Sequence, residues 1–376
     1  MRRLMVVVIA LGLGSLACGL QPVVTALTGF PADMPEAPVF DSARTVYGFF
    51  PSPPEPTFES VLNHFQALGE HADFVLLQPA IPWEEFASGS TDNSQCLTDL
   101  RNQVTLAHAN GLEAVFVVDP LNGLNRREFM GLPDDWTPSF GTEQVRAAFT
   151  GFALWVVREF RPRYLGLASE INTYADAHPD DFPYYLSLYR DTYAAVKAVS
   201  PNTQVFVTFQ WEDLNNLFAA AAEGRQPYQT NWDQVEAFEP QLDLWVISSY
   251  PFAAFQSGAA IPPDYYTPLL GRTEKPLAVA EGGYTSEPVG PFPGTPQDQV
   301  DYLNAIHAQI GGRLRFWVYL LLNDFDADSY AEAMRQQGLD EADVDTLGMF
   351  RAVGLRQADG TPKPGLIVWD GYRNAD

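Results

Sequence analysis

Eight short apolar segments recur along the chain and constrain its fold more than any other feature. They are rich in β-branched and aromatic residues, and longer stretches with helical periodicity separate them. We expect strands at 45–50, 73–81, 113–119, 164–170, 204–210, 244–250, 276–282 and 314–322. This alternation is typical of βα units around a parallel sheet, and several of the segments are apolar throughout, as strands covered on both faces are.

The intervening stretches carry their own helix signals. Residues 295–312 begin with Thr295 as an N-cap and Pro296 in the first turn, and Gly311 follows the last apolar position. A second stretch places its apolar residues on one helical face, namely Val145, Ala148, Phe149, Phe152 and Val156. Both predicted helices directly precede a predicted strand, which supports the βα reading.

Eight such alternations predict a (β/α)₈ TIM barrel, the α/β fold class, as one domain over residues 43–376. Barrels of this kind take about 250 residues, and more with insertions, so the length fits. A doubly wound open sheet is the alternative architecture. It would place a GxGxxG turn after the first strand, whereas the sequence there reads FFPSPPEP.

The first 18 residues, MRRLMVVVIALGLGSLAC, have a basic start and a short apolar stretch, which is typical of an export signal. The SLAC-Gly junction resembles a bacterial lipoprotein processing site, although Ser15 stands where an aliphatic residue is usual. The resemblance implies lipidation of Cys18, and ordinary signal cleavage is the alternative. Cys96 would then be the only other cysteine, so we expect no intramolecular disulfide.

Residues 19–42 contain four prolines and read as a linker. We therefore expect an extracytoplasmic protein, either secreted or lipid-anchored at the cell surface or membrane, whose only membrane contact is that anchor. The formal net charge of −25, without a basic patch, disfavours nucleic acid as a partner and is compatible with neutral glycans. The oligomeric state is left open.

Metal and cofactor chemistry has little support in the sequence. The five histidines form neither an HExxH motif nor a cluster with cysteine, and the sequence contains no GxSxG motif or phosphate-binding loop. Asp324 and Asp326 could hold calcium, but an exposed acidic loop is the favoured interpretation. We expect no metal and no cofactor.

Two glutamates follow buried strand segments: Glu170 in YLGLASEINTY ends the fourth strand, and Glu281 in KPLAVAEGGY ends the seventh. In a barrel the carboxyl ends of the strands form one face, where strands four and seven lie across the mouth from each other. Two carboxylates flanking one bond are what glycoside hydrolysis requires. Either glutamate alone could be a solvated turn residue, and Asp119, at the end of strand three, is the substitute for either.

Four stretches together resemble the clan A glycoside hydrolases, which are retaining enzymes on (β/α)₈ barrels: YLGLASEINTY, SSYPF at 248–252, PLAVAEGGY and RFWVYLLLND at 315–324. SSYPF is most similar to the endo-β-1,4-galactanase branch. The resemblance implies that Glu170 is the acid/base, Glu281 the nucleophile, Tyr250 the tyrosine that orients the nucleophile and Trp317 an aromatic platform for sugar. The family has asparagine where Ser169 stands, so the contact with the sugar 2-hydroxyl is expected to be weaker or water-mediated.

Further candidates for substrate contact lie near predicted strand ends: Gln78, Trp83, Asn172, Gln210 and Trp211. Each has a structural alternative, since the amides could bond neighbouring loops and the tryptophans could pack in the core; for Asn172 the local alternative is favoured. Tyr250 could likewise be a core tyrosine. We expect a retaining hydrolase of β-linked poly- or oligosaccharides, and the alternative is a glycan-binding lipoprotein that has lost catalysis.

Overall fold

The computed structural model describes residues 34–41, 44–91, 94–218, 225–336 and 346–375. The predicted signal segment, Cys18 and most of the linker lie outside these ranges. Cys96 is disulfide-bonded, so the expectation of a chain without a disulfide is wrong. Within the described ranges, no helix combines the length and the apolar character needed to cross a bilayer.

The barrel is built from parallel strands that match the eight predicted segments. They are β1 (Val46–Phe49), β2 (Phe74–Leu77), β3 (Glu113–Val117), β6 (Tyr164–Gly166), β7 (Gln204–Phe206), β8 (Thr208–Gln210), β9 (Trp245–Ser249), β10 (Leu277–Gly282) and β11 (Leu314–Tyr319), while β4 (Leu121–Asn122) and β5 (Asn125–Phe129) form a separate pair. The sheet order is β7-β6-β3-β2-β1-β11-β10-β9-β8.

The ring closes at a break within the fifth predicted strand. Segments β7 and β8 are separated only by Val207; β7 pairs with β6, and β8 pairs with β9. Across this seam the Leu167 N–H donates to the Phe206 carbonyl at 2.9 Å, and the Thr208 N–H donates to the Ala168 carbonyl at 3.1 Å. The predicted (β/α)₈ barrel is confirmed, and the open doubly wound sheet is excluded.

Aromatic side chains from opposite walls fill the barrel interior. The Phe316 ring lies 5.9 Å from the Phe74 ring, 5.0 Å from the Tyr164 ring and 5.6 Å from the Phe206 ring, measured between centroids. All four residues are at most 1% exposed, and burying each such side chain stabilises the fold by roughly 1.5–3 kcal/mol. A Cβ at Gly48 would lie 2.5 Å from the Phe74 ring, so only glycine lets that ring cross the interior.

Helices cover the outside of the ring. They are α1 (Phe58–His71), α2 (Trp83–Ser88), α3 (Gln95–Ala109), α4 (Glu143–Phe160), α5 (Ile171–Ala177), α6 (Phe182–Val199), α7 (Trp211–Leu214), α8 (Trp232–Glu236), α9 (Pro268–Arg272), α10 (Pro296–Ile310), α11 (Ala327–Gln336) and α12 (Pro364–Ala375). Helix α10 begins at the predicted N-cap, because the Thr295 hydroxyl accepts the Asp298 N–H at 3.2 Å. The five residues of the predicted apolar face on α4 are all buried.

An antiparallel hairpin, β4–β5, stands between β3 and α4 at the carboxyl end of the barrel, and the sequence analysis did not predict it. Asn122 forms its turn, since the side-chain oxygen accepts the N–H groups of Leu124 at 2.9 Å and Asn125 at 3.3 Å. The hairpin turns the chain back toward the strand ends. It thereby carries Arg126 to the barrel mouth.

Candidate active site

The structure brings Glu170 and Glu281 together at the carboxyl end of the barrel. Glu281 is the penultimate residue of β10, and Glu170 precedes the first residue of α5. Arg126 bridges them, with Nε 3.0 Å from Glu170 Oε2 and Nη2 3.7 Å from Glu281 Oε2. These two contacts on one guanidinium place the nearest carboxylate oxygens less than about 10 Å apart, so the pair falls within the upper limit for glycoside hydrolysis.

Glu170 is held in an unusual backbone conformation, with φ at 52° and ψ at 41°. A non-glycine residue in this left-handed region costs of order 1–3 kcal/mol and persists only where its surroundings enforce it. The Glu170 N–H donates to Thr208 Oγ1 at 2.7 Å, and Ser248 Oγ donates to Glu170 Oε1 at 2.5 Å. Strain of this kind clusters at functional sites, so the geometry favours a role for the Glu170 side chain.

Glu281 is 6% exposed and accepts a hydrogen bond from the Tyr250 hydroxyl at 2.5 Å. Burial, together with the negative charge of Glu170, raises the pKa of Glu281 to about 7, against the opposing effects of Arg126 and Tyr250. Burial beside these carboxylates raises the pKa of Tyr250 well above its usual range, so its hydroxyl remains a donor. Glu281 therefore keeps a proton up to near neutral pH in the folded protein.

Arg126 is the main residue that the sequence analysis missed. Its side chain is 5% exposed, and besides the two glutamates it contacts the Asp119 carboxylate. Asp119 also accepts hydrogen bonds from Gln78 Nε2 at 2.5 Å and from the Leu121 N–H at 3.1 Å. Burial raises the pKa of Asp119, and the arginine partly offsets this. Asp119 and Gln78 thus anchor the arginine that spans the glutamate pair.

Glu212, in α7, is a second residue that sequence reasoning missed. It is fully buried, and its carboxylate accepts hydrogen bonds from Ser249 Oγ at 2.7 Å, the Tyr250 N–H at 2.9 Å and Gln210 Nε2 at 2.7 Å. A longer contact comes from the Tyr265 hydroxyl at 3.2 Å. Burial raises the pKa of Glu212, while these hydrogen bonds lower it. The carboxylate fixes the backbone from which Tyr250 reaches Glu281.

The remaining polar candidates form hydrogen bonds with neighbouring protein groups around the site. Asn172 accepts the Gln210 N–H at 2.8 Å and donates to the Gln210 carbonyl at 3.2 Å, so it bonds the end of β8, 38 positions away, and not its own loop as the sequence favoured. The Ser169 hydroxyl lies 3.1 Å from the Thr208 hydroxyl, and Ser169 is 3% exposed. Ser169 is therefore turned into the wall between strands.

The expectation that Trp317 is a sugar platform is wrong. Its side chain is fully buried on the outside of the barrel, where the indole packs edge-on against Trp369 of α12 with 5.4 Å between ring centroids. Side chains alternate along a strand, and Phe316 occupies the inward face here. Trp317 therefore joins the sheet to the last helix.

Trp83 and Trp211 also belong to the core and not to an open cleft. Trp211 is fully buried, with its ring 6.0 Å from that of Trp232. Trp83 is 3% exposed, and its indole N–H donates to the Met130 carbonyl at 2.7 Å. The stacking role considered for these two residues is contradicted by their burial.

Asp324 has a structural partner. Its carboxylate lies 2.5 Å from Lys363 Nζ and accepts the Gly354 N–H at 2.8 Å, so it belongs to a buried ion pair. Over the ranges that the structure describes, no group of three or more His, Cys, Asp or Glu side chains is arranged so that it could hold a metal ion.

Comparisons with known proteins give a fold-level match. No family profile and no curated protein matches the sequence. Among solved structures, an exo-β-1,4-mannosidase from Opitutaceae bacterium strain TAV5 matches with 13% identity and a TM-score of 0.65, covering 93% of this chain and 62% of that chain. A GH5 variant from Streptomyces cattleya, solved with Manβ1-4GlcNAc, matches with 15% identity and a TM-score of 0.59, covering 88% and 81%.

The GH53 catalytic domain from Ignisphaera aggregans matches with 13% identity and a TM-score of 0.52, covering 91% of this chain and 96% of that one. The matched structures are clan A glycoside hydrolases, so the resemblance seen in the sequence is confirmed at the level of the fold. The chain spans 62%, 65% and 51% of the first three matched proteins. At these identities the match defines the fold alone, and the activity rests on the site.

Proposed function

We propose that the protein is a retaining glycoside hydrolase that acts on β-linked glycans. One observation carries the proposal: Glu170 and Glu281, from opposite walls of the barrel, meet at its mouth on a single buried arginine, and Tyr250 donates to Glu281. A retaining mechanism needs one proton and one ionised carboxylate across the bond to be cleaved. The raised pKa of Glu281, about 7, keeps one proton at the site near neutral pH.

In the proposed reaction Glu170 protonates the departing oxygen while Glu281 attacks the anomeric carbon. Glu170 then deprotonates the water that releases the glycosyl group from Glu281. In the free protein the arginine lies nearer to Glu170, at 3.0 Å, than to Glu281, at 3.7 Å. Substrate binding must therefore move the proton held by Glu281 to Glu170, and the rate should follow the titration of Glu281.

A substrate screen tests this activity. Galactan, mannan, xylan and β-glucans are incubated with the protein, and the anomer of the first product is followed by NMR. Replacing Glu281 with Ala or Glu170 with Ala should lower turnover of the cleaved glycan by more than about 100-fold, since each supplies a chemical step. Near-normal turnover in both variants would refute the assignment.

A glycan-binding protein without catalysis is the second candidate. It is favoured by two contacts: Arg126 already engages both glutamates, and the Ser169 hydroxyl is already hydrogen-bonded to the Thr208 hydroxyl. Calorimetric binding of an oligosaccharide that is recovered unchanged would support it. Cleavage of the same oligosaccharide would exclude it.

We also propose that the protein is exported. The basic and apolar N-terminal segment supports this, and a disulfide at Cys96 is typical of compartments outside the cytoplasm. The finer proposal, a lipid anchor on Cys18, is an alternative to that disulfide, because the sequence has no third cysteine and a lipidated thiol cannot pair with Cys96. Mass spectrometry of the mature N-terminus tests it. A lipid mass on Cys18 supports the anchor, and an unmodified mature N-terminus contradicts it while leaving export intact.

A further inference from the structure

A pocket of about 450 Å³ opens beyond the carboxyl end of β1, between helix α1 and the segment 356–360 that precedes α12. Its lining includes Ser60 and His64 from α1, and Arg356 and Gly360 from that segment. We call it the α1 pocket. Its volume lies in the range of roughly 300–1,000 Å³ that is usual for small-molecule sites. Neither glutamate of the catalytic pair is among its described lining residues, so it is separate from the candidate active site.

His64 is a buried side chain that the fold leaves without a hydrogen bond. It is 3% exposed, and among the described residues neither of its ring nitrogens has a partner. Burial, with a smaller effect from Arg356, lowers the pKa of His64 to about 3, so the ring is neutral at physiological pH and offers one donor and one acceptor. Ser60 lies one helical turn before His64 on the same face of α1, and both line the pocket. Because buried polar groups are nearly always paired, these two nitrogens beside a pocket point to a ligand.

Arg356 places a cation without an ionic partner in the same pocket. Its Nε donates to the Gly360 carbonyl at 2.8 Å, and no carboxylate of the described residues forms an ion pair with it. Gly360 has a φ of +87°, and a Cβ there would lie 2.5 Å from Arg356 Nη2, so glycine is what allows the guanidinium to lie in this position. A guanidinium held through Nε keeps its Nη groups for a planar oxyanion. A carboxylate fits it best, because the two can form parallel hydrogen bonds.

Three exposed acidic residues also line the pocket, and we call them the rim carboxylates: Glu55, Glu59 and Asp359. They outnumber the single guanidinium, and the chain carries a formal net charge of −25, so a simple anion is repelled. Over the described ranges no group of His, Cys, Asp or Glu side chains could hold a metal ion, so the rim carboxylates favour an organic cation. No Phe, Tyr or Trp is among the described lining residues, which leaves a sugar ring no aromatic face to stack on.

We propose that the α1 pocket binds a small α-amino acid as its zwitterion. The carboxylate of the ligand pairs with Arg356 and accepts a hydrogen bond from His64, and its ammonium group lies among the rim carboxylates. Both charges of the ligand are then matched by the protein, and the His64 ring gains a partner. The site is separate from the glutamate pair, so the proposal does not depend on the proposed hydrolase activity.

NMR of the protein with ¹⁵N-labelled histidine tests the proposal through the ring resonances of His64. L-alanine is the probe, because it carries the two charged groups that all α-amino acids share. L-lactate replaces its ammonium group with a hydroxyl, and isopropylamine replaces its carboxylate with a methyl group. L-alanine should shift the His64 resonances saturably with a Kd below about 10 mM. Each analogue should bind at least about tenfold more weakly, the value of one hydrogen bond to a charged group.

Two variants separate the two halves of the site. Arg356→Gln should weaken L-alanine binding at least about tenfold. The double variant Glu55→Gln, Glu59→Gln should weaken L-alanine about threefold and strengthen L-lactate, because it removes charges that attract an ammonium group and repel an anion. Glu143→Gln, in the first turn of α4 as Glu59 is in that of α1, and Arg351→Gln, at an exposed site, are the matched controls and should change neither affinity.

Three results would overturn the proposal. They are the lack of a saturable shift with L-alanine, binding of either analogue as tightly as L-alanine, and an affinity for L-alanine that Arg356→Gln leaves unchanged. If Arg356→Gln does not fold, the double variant at Glu55 and Glu59 decides, because both residues are exposed. Opposite effects on L-alanine and L-lactate support the amino-acid site, and parallel effects contradict it.

Discussion

The Tyr250 hydroxyl donates a hydrogen bond of 2.5 Å to the Glu281 carboxylate. Tyr250 directly follows β9, and Glu281 lies on the neighbouring strand β10. The tyrosine is itself held from behind, because Glu212 accepts its backbone N–H at 2.9 Å. The proposed nucleophile is thus positioned by a phenol whose own backbone is fixed by a buried carboxylate. The first two predictions concern the protonation of Glu281, which these contacts influence.

Replacing Tyr250 with Phe removes a donor that favours ionised Glu281. The pKa of Glu281 should then rise above about 7, which moves the acidic limb of the kcat/KM profile to higher pH and lowers the rate on that limb about tenfold or more. Rate measurements between pH 5 and pH 9 check this. Tyr184→Phe, at an exposed position on α6, is the control, and an unshifted profile in Tyr250→Phe would count against the positioning role.

We expect Glu281 to lower the free energy of unfolding at alkaline pH. Its pKa is about 7 in the folded protein against 4.5 for an ordinary glutamate, so the folded state binds the extra proton between these values. The contribution of Glu281 to the free energy of unfolding therefore falls as pH rises from 4.5 to 7 and stays low above 7.

Glu281→Gln removes this titration, so its Tm should exceed that of wild type by at least about 2 °C at pH 8, with the difference shrinking toward pH 5. Thermal unfolding at both pH values checks the prediction. Glu84→Gln, at an exposed site on α2, should change Tm little at either pH. A pH-independent difference between Glu281→Gln and wild type would contradict the shifted pKa.

We expect Arg126 to be essential both for turnover by the glutamate pair and for the stability of the fold. Arg126→Met leaves three buried carboxylates facing one another, so turnover should fall by more than about 100-fold and the free energy of unfolding by about 3 kcal/mol. Arg126→Lys keeps the charge but not the planar fork that reaches all three, so it should recover only part of the activity. Arg158→Ala, on the exposed face of α4, is the control, and faster turnover in Arg126→Met would mean that the arginine blocks the site.

Glu212 should matter mainly for stability. Glu212→Ala leaves the donors on Ser249, Tyr250 and Gln210 buried without their acceptor, at a cost of about 3 kcal/mol in the free energy of unfolding. Urea denaturation measures this cost, with Asp233→Ala at an exposed position of α8 for comparison. Equal midpoints for the two variants would show that the hydrogen-bond cluster contributes little.

The barrel could be predicted from the sequence because each strand is a local apolar run and each helix has a local period. All eight predicted segments contain the strands that form the ring. The glutamates could be placed for the same reason, since each ends such a run. The hairpin that follows β3 is short and polar, so nothing in its local sequence separates it from an ordinary loop.

The residues that contact the two glutamates could not be predicted from the local sequence. Arg126 reaches Glu170 over 44 positions of sequence, and neighbouring Arg127, which is exposed, carries the same residue type. Trp317 lies on the same face of β11 as the partly exposed Arg315 and on the face opposite to Phe316, so strand alternation alone predicts that it points away from the barrel interior.

The most direct test of the catalytic pair is to trap the covalent intermediate. The protein is incubated with an activated 2-deoxy-2-fluoro glycoside of the sugar found in the substrate screen, and the labelled peptide is mapped by mass spectrometry. We expect one sugar per protein, attached to Glu281, and no label in Glu281→Gln. A label on Glu170 or Asp119, or release of product of inverted anomeric configuration without any label, would contradict it.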